Sequence, residues 1–371
     1  KESVFQRNPS GYPVLPRLIQ RFLLDSFPLP IILEVKDMED SSCYLKWLLK
    51  QSVMKTNDQH LCGYENVLQT PLQPLRDHLP SETYEVFEQD PIKYQLYEEA
   101  IEAAITDLRM TVRDDELRIG VFGAGRGPLV EAVLNAFERQ GNGIKVKVFA
   151  LEKNPNACLT LLDRFRTFPQ VEIILADMRA VPESVVGDLD IIVSELLGSF
   201  GDNELAPECL RSVVNLLKSD GIMIPQEYTS YIEPCYSPIL RDQAKLSMGF
   251  DYGYVVHVTK AFRPFKAPLP VFTFHHPGND KDLDTELHVN LSFSEATYET
   301  SVPIDGLLGY FDCVLYGRIR MSTVPQRASP GMLSWFPIYF PLSEEVEVVD
   351  CFSVDFWRKR GRQQVWYEWG R

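Results

Sequence analysis

Glu195 and Glu204 stand nine positions apart in "SELLGSFGDNE", directly after the apolar run "LDIIV". A buried strand that ends in a glycine-containing loop with two glutamates delivers two carboxylates to one edge of a sheet. Like charges held there repel, and each raises the other's pKa unless a cation lies between them. The cation that two carboxylates grip best is a planar guanidinium, which donates to them in forks. An arginine nitrogen is a poor nucleophile because its lone pair is delocalised. Neutralising the group at pH 7 costs on the order of 9 kcal/mol, from a pKa near 13.8. A carboxylate pair avoids that cost by drawing positive charge away from one nitrogen and aiming that nitrogen at an electrophile.

A second set of residues supplies a pocket for the electrophile. "IGVFGAGRGPLV" puts Gly123, Gly125 and Gly127 after a strand and before a helix, where glycine permits a tight turn and close approach to a ligand. The pattern is G-x-G-x-G, with Pro128 suited to the first helical turn, and a dinucleotide's third glycine is missing. "VKVFALEKNPNA" ends its strand in Glu152, an acceptor for ribose hydroxyls. "VEIILADMR" ends in Asp177 and Met178, an acceptor and an apolar residue suited to flank adenine. Acids closing the second and third strands beneath such a turn are the layout of S-adenosylmethionine-dependent methyltransferases. A nicotinamide oxidoreductase is the rival reading, and plain helix capping by Glu152 and Asp177 is the bland one.

The elements that must position these residues follow from periodicity. Between about 66 and 225 helix and strand patterns alternate, as in βαβ units on a parallel sheet. Ser81 is a cap candidate for "SETYEVFEQD", and Pro91 opens the helix "PIKYQLYEEAIEAAITDL". "PECLRSVVNLLK" reads as a helix before the strand "GIMIP". From 226 to 371, β-branched and aromatic runs such as "YGYVVHVTKAF" and "CFSVDFWRK", split by Pro and Gly, predict an all-β sandwich or barrel. Residues 1–65 hold one strand and one helix pattern, too little for a domain, and read as the end of a larger unit and a linker. The start without methionine suggests an N-terminally trimmed chain.

Composition narrows the function classes. A net charge of −15 argues against a nucleic-acid binder and favours a cationic partner. Solubility alone is the bland alternative. The seven cysteines are odd in number and contain no C-x-x-C pair, which predicts reduced thiols rather than a disulfide framework or zinc site. His275 and His276 read as strand-end residues rather than ligands. "RKRGR" at 358–362 reads as a charged hairpin tip. No run of 18 uncharged apolar residues is present, so no membrane span is expected.

"SELLGSFGDNELAPECL" resembles the double-glutamate loop of the protein arginine methyltransferases. "TPLQPLRDHLPSETYEVFEQDPIKY", "GAGRGPLV", "EKNPNA", "ADMR", "IPQEYTS", "SPGMLSWFPIYFP" and "VWYEW" are similar to the type II, symmetric-dimethylating branch. The likeness runs in order from about Gln69 to Arg371. It implies a Rossmann-like methyltransferase domain followed by a β-barrel, and a TIM barrel of which 1–65 would be the end. It implies that Tyr84, Lys93, Tyr94, Gly123, Gly125, Glu152, Asp177 and Met178 contact S-adenosylmethionine, with no metal. Glu195 and Glu204 would hold the substrate guanidinium. Phe87 would govern product geometry, Trp335 would wall the arginine channel, Leu197 and Ser334 would offer backbone groups, and Gln69 would meet the peptide. Core packing is the bland reading of Phe87 and Trp335. The resemblance further implies Arg/Gly-rich substrates such as histone tails and splicing proteins, a homodimer, and cytoplasmic and nuclear residence. Some relatives recruit a β-propeller adaptor through the TIM barrel. A scaffold that binds arginine tails without catalysis is the remaining alternative.

Overall fold

The computed structural model describes residues 64–111, 116–140, 144–181, 187–278, 286–294 and 301–371. The strand and helix expected before Tyr64 lie outside these residues. Helices α1 (Ser81–Glu88) and α2 (Pro91–Thr111) come first. Ser81 is not a cap: Pro80 takes that position in extended backbone, with no capping bond. The Ser81 hydroxyl instead accepts from Arg126 at 3.2 Å. Asp90 does cap α2, its Oδ1 accepting from the N–H groups of Ile92 and Lys93 at 3.1 Å each.

The α/β unit runs β1 (Glu116–Phe122), α3 (Pro128–Gln140), β2 (Lys145–Glu152), α4 (Pro155–Phe165), β3 (Val171–Leu175), β4 (Leu189–Ser194), α5 (Ala206–Arg211) and β5 (Leu217–Ile224). Its five strands are parallel, in the order β3-β2-β1-β4-β5. Every residue of β4 is buried, as expected for an inner strand covered on both faces. Helix α3 lays Leu129, Val130, Val133 and Ala136 against the sheet as one apolar stripe. Strand order reverses between β1 and β4, which opens a crevice beyond their carboxyl ends. Helix α5 is shorter than its sequence pattern. It stops at Arg211, and Leu217, expected within the helix, pairs with Leu189 of β4 instead. Val213 and Val214 at the break are β-branched and stiff, which weakens helix continuation there.

The second unit contains β6 (Glu227–Cys235), α6 (Pro238–Leu246), β7 (Tyr254–Val255), β8 (Leu269–His275), β9 (Leu287–Phe293), β10 (Val302–Tyr316), β11 (Ile319–Ser322), β12 (Ile338–Val348), β13 (Phe352–Arg360) and β14 (Val365–Gly370). One antiparallel sheet has the order β7-β12-β10-β6-β8, with β11 on β10, and the other is β14-β13-β9. β8 meets β9 and β12 meets β14, so the two sheets close as a barrel. Aromatic rings fill it, with Phe340 5.1 Å from Phe356 and 5.8 Å from Tyr367. The long strand expected at "YGYVVHVTKAF" is reduced to β7, whose Val255 pairs with Gln69 through two backbone bonds of 2.8 and 2.9 Å. His275 ends β8, and His276 follows it into the turn.

"RKRGR" is more than a charged hairpin tip. Arg360 ends β13 and Gly361 begins the turn, but Arg358 is wholly buried and bonds to Asp202 and Glu208 of the α/β unit. The alternation of β13 explains this. Val354, Phe356 and Arg358 share the inward face, so a residue in a basic run points into the core.

Candidate active site

The crevice at the strand-order reversal is a cavity of about 760 Å³, and every site residue expected from the sequence lines it. Its first wall is the glycine turn. Gly123, Gly125 and Gly127 all have positive φ (76°, 55° and 100°). A Cβ on Gly127 would lie 2.4 Å from the Phe165 ring, so a side chain there would push α4 away from the turn. Glu152, at the end of β2, accepts from Gly125 N–H at 2.7 Å through one oxygen and from Asn154 N–H at 2.7 Å through the other. Each oxygen keeps a lone pair for a ligand hydroxyl. Tyr84 lies over Gly125, 3.3 Å from where a Cβ would stand. Burial and then the Glu152 charge push its phenol up to about 12, so it remains a neutral hydrogen-bonding wall.

Met178 is buried, its methyl 3.8 Å from the position of a Cβ on Gly123. Asp177 is paired more tightly than its expected role suggests. Arg179 donates to it through the backbone N–H at 2.9 Å and through its guanidinium at 3.0 and 2.6 Å. Hydrogen bonding from Arg179 therefore holds the Asp177 carboxyl below the usual range, and acceptor capacity remains on an ionised group. A glycine cradle, an acid with free lone pairs at the end of β2 and an apolar floor with an acid beside it suit an adenosyl group. The donor set of this cavity therefore fits S-adenosylmethionine.

The second wall carries the glutamates. The loop after β4 places Glu195 beside Lys93, whose ammonium lies 3.4 Å from Oε2. Lys93 is buried, and its Nζ sits 4.7 Å from the Tyr94 ring, 5.1 Å from Trp335 and 5.6 Å from Phe87. Three rings and a carboxylate thus surround one cation. Glu204, across the loop, receives no hydrogen bond from the described residues. Burial first, and then the Glu195 charge, push its carboxyl well above the ordinary range, with Lys93 opposing. This corner is built for positive charge.

Trp335 has φ 67°, an uncommon conformation for a bulky residue, and the surrounding structure holds it there. Its indole donates to the Leu197 carbonyl at 2.7 Å, and its ring packs edge-on against Phe311 at 5.1 Å. The N–H groups of Leu197 and Ser334 are engaged internally, by Glu195 at 3.3 Å and by Asp90 at 2.6 Å. The Leu197 carbonyl, which accepts from that indole, keeps one lone pair for a ligand. Phe87 stands one helical turn from Tyr84, the rings edge-on at 6.4 Å. Gln69 lies exposed at the rim.

Sequence reasoning missed Asp90. Its second oxygen accepts from Leu333 and Ser334 N–H at 2.8 and 2.6 Å, tying the start of α2 to the Trp335 loop. Burial works against the charge, but these donors hold the carboxyl below its usual range. Asp before Pro at a helix start was a readable cap signal. Its second attachment, across the fold, was not. Among the described residues no group of His, Cys, Asp and Glu could hold a metal ion. No helix among them is long and apolar enough to cross a membrane.

Comparison with known proteins gives consistent results. Residues 55–224 match a family model described as PRMT5 arginine-N-methyltransferase. Residues 227–371 match one described as the PRMT5 oligomerisation domain. Protein arginine N-methyltransferase 5 of Xenopus laevis is 41% identical over 393 residues, covering 99% of this chain and 60% of the relative. Its counterpart in Oryza sativa subsp. indica is 44% identical over 323 residues, covering 83% and 48%. The chain thus spans between about half and three fifths of the length of these relatives. The crystal structure of Arabidopsis thaliana protein arginine methyltransferase 10 superposes with a TM-score of 0.59 at 14% identity, covering 77% of this chain and 90% of that one, a likeness of fold.

Proposed function

We propose, for a chain that belongs to the PRMT5 arginine-N-methyltransferase family, that it methylates protein arginine on the guanidino nitrogens, giving monomethyl and then symmetric dimethylarginine. The observation that carries this reading is the carboxylate pair Glu195 and Glu204 beside a cation already held by three aromatic rings. S-adenosylmethionine, when bound, supplies a methyl group on a sulfonium. Gly123, Gly125, Glu152, Asp177, Met178, Tyr84, Tyr94 and Lys93 form its side of the cavity.

The chain's own residues do the rest. Glu195 and Glu204 hold the guanidinium and draw positive charge away from one nitrogen, leaving that nitrogen's lone pair available. Trp335 and Phe87 line the same cavity and offer aromatic rings to the guanidinium while excluding water. When that nitrogen gains a methyl group it sheds a proton, and the carboxylate pair is the acceptor at hand, with Glu204 the member whose carboxyl binds protons more readily than usual. Phe87 limits which nitrogen reaches the methyl donor.

Substrates on this reading are Arg/Gly-rich tails such as those of histones and splicing proteins, met in cytoplasm and nucleus. The match to an oligomerisation domain supports self-association, here read as a homodimer; a β-propeller adaptor is a further candidate partner. The test is transfer from labelled S-adenosylmethionine to an Arg/Gly-rich peptide, with the product resolved by fragmentation. Symmetric dimethylarginine supports the whole reading. Asymmetric product keeps the clamp and removes the branch, and no transfer despite cofactor binding favours the non-catalytic scaffold.

A further inference from the structure

The loop between the two glutamates contains Gly198 and Gly201, which bond to each other at 2.8 and 3.1 Å in a tight reversal. Glycine gives such a loop freedom that a fixed carboxylate pair cannot tolerate. The barrel removes that freedom. Phe200, at the tip, inserts its ring between Tyr367, Phe340 and Phe356, with centroids at 5.1, 5.2 and 5.7 Å. Asn203 folds back to accept from Phe200 N–H at 2.7 Å. Asp202 is wholly buried and accepts from Ser230 at 2.6 Å, from Tyr367 at 2.8 Å and from Arg358 Nε.

Arg358 continues past Asp202. Its other two nitrogens donate to Glu208 of α5 at 2.8 and 3.1 Å. One rigid fork therefore holds the chain two residues before Glu204 and four residues after it. Leu205 in between adopts φ 66°, so the turn out of the loop is itself constrained.

We propose that Arg358 is the positioning residue for the carboxylate pair, through which the C-terminal hairpin β13–β14 sets where Glu204 stands. The claim rests on the arginine-clamp reading of the site, but part of its test does not. Arg358 touches no substrate in this scheme. Its effect runs through the geometry of a loop where a displacement of about 1 Å costs on the order of 100-fold in rate.

The test uses Arg358→Lys, which keeps the charge and loses the fork, and Tyr367→Phe, which removes one donor to Asp202 and leaves Arg358 in place. Arg358→Lys is expected to lower kcat about 10- to 100-fold, with cofactor Kd within about threefold and a lower thermal midpoint, because buried Asp202 and partly buried Glu208 lose part of their pairing. Amide exchange should accelerate in 196–205 and not in 123–127. Tyr367→Phe should show the same pattern more weakly, and it decides the matter if the lysine variant does not fold. Unchanged kcat and unchanged exchange would overturn the proposal. So would parallel loss of cofactor affinity, sheet protection and activity, since that describes general destabilisation. If the wild-type chain transfers no methyl group, the functional reading fails, while the exchange comparison still decides whether Arg358 positions the loop.

Discussion

Glu204 must carry a charge in a place where burial and a neighbouring carboxylate resist it. The sign of its pH dependence follows. An acid whose pKa is raised needs a higher pH to ionise, and the clamp needs both carboxylates ionised. kcat/KM for an arginine peptide should therefore rise with pH through the elevated Glu204 pKa. Glu204→Gln should abolish turnover at every pH. Glu195→Gln should also abolish turnover, with cofactor affinity by calorimetry within a few fold; equal loss of affinity would make either residue structural. Phe87→Met should admit asymmetric dimethylarginine, detected by fragmentation, and purely symmetric product would withdraw the role given to Phe87. The acids that end buried strands were legible because strand and loop are adjacent in sequence. Arg358 was not. Its local context is a basic run before a turn, and only strand alternation and partners about 150 residues away bury it.

Among the elements, α2 and the Trp335 loop form one unit through Asp90. Removing that carboxylate takes away a helix cap, worth about 1 kcal/mol, and leaves the N–H groups of exposed Leu333 and half-buried Ser334 to water. Asp90→Ala is therefore expected to lower stability by roughly 1–2 kcal/mol in denaturant unfolding. It should also raise KM for the arginine peptide more than Kd for the cofactor, because the loop it frees carries Trp335. An equal change in both constants would place Asp90 in general stability alone. The βαβ alternation and the glycine turn were readable, since period and turn chemistry are local. The ends of the helices were harder to read. Pro80 displaced Ser81 from the cap, and α5 yielded to β5 once Leu217 found Leu189. Both outcomes depend on competition between neighbours rather than on propensity.

Across the whole molecule, ligand linkage offers a test that needs no turnover. A ligand that binds only the folded chain at 100 times its Kd adds about 2.7 kcal/mol. S-adenosylhomocysteine should accordingly raise the thermal midpoint, and NAD should leave it unchanged; the reverse would restore the oxidoreductase reading. The net charge of −15 suits a partner rich in arginine. The arrangement around Lys93 adds a condition to that attraction. Its ammonium already rests among Phe87, Tyr94 and Trp335 against Glu195, so the corner is occupied before any substrate arrives. The long-range pull of an acidic protein therefore brings an arginine to a corner that already holds a resident cation. What favours the arginine at the two carboxylates is shape: a flat fork that they can grip, against a point charge on a flexible stem.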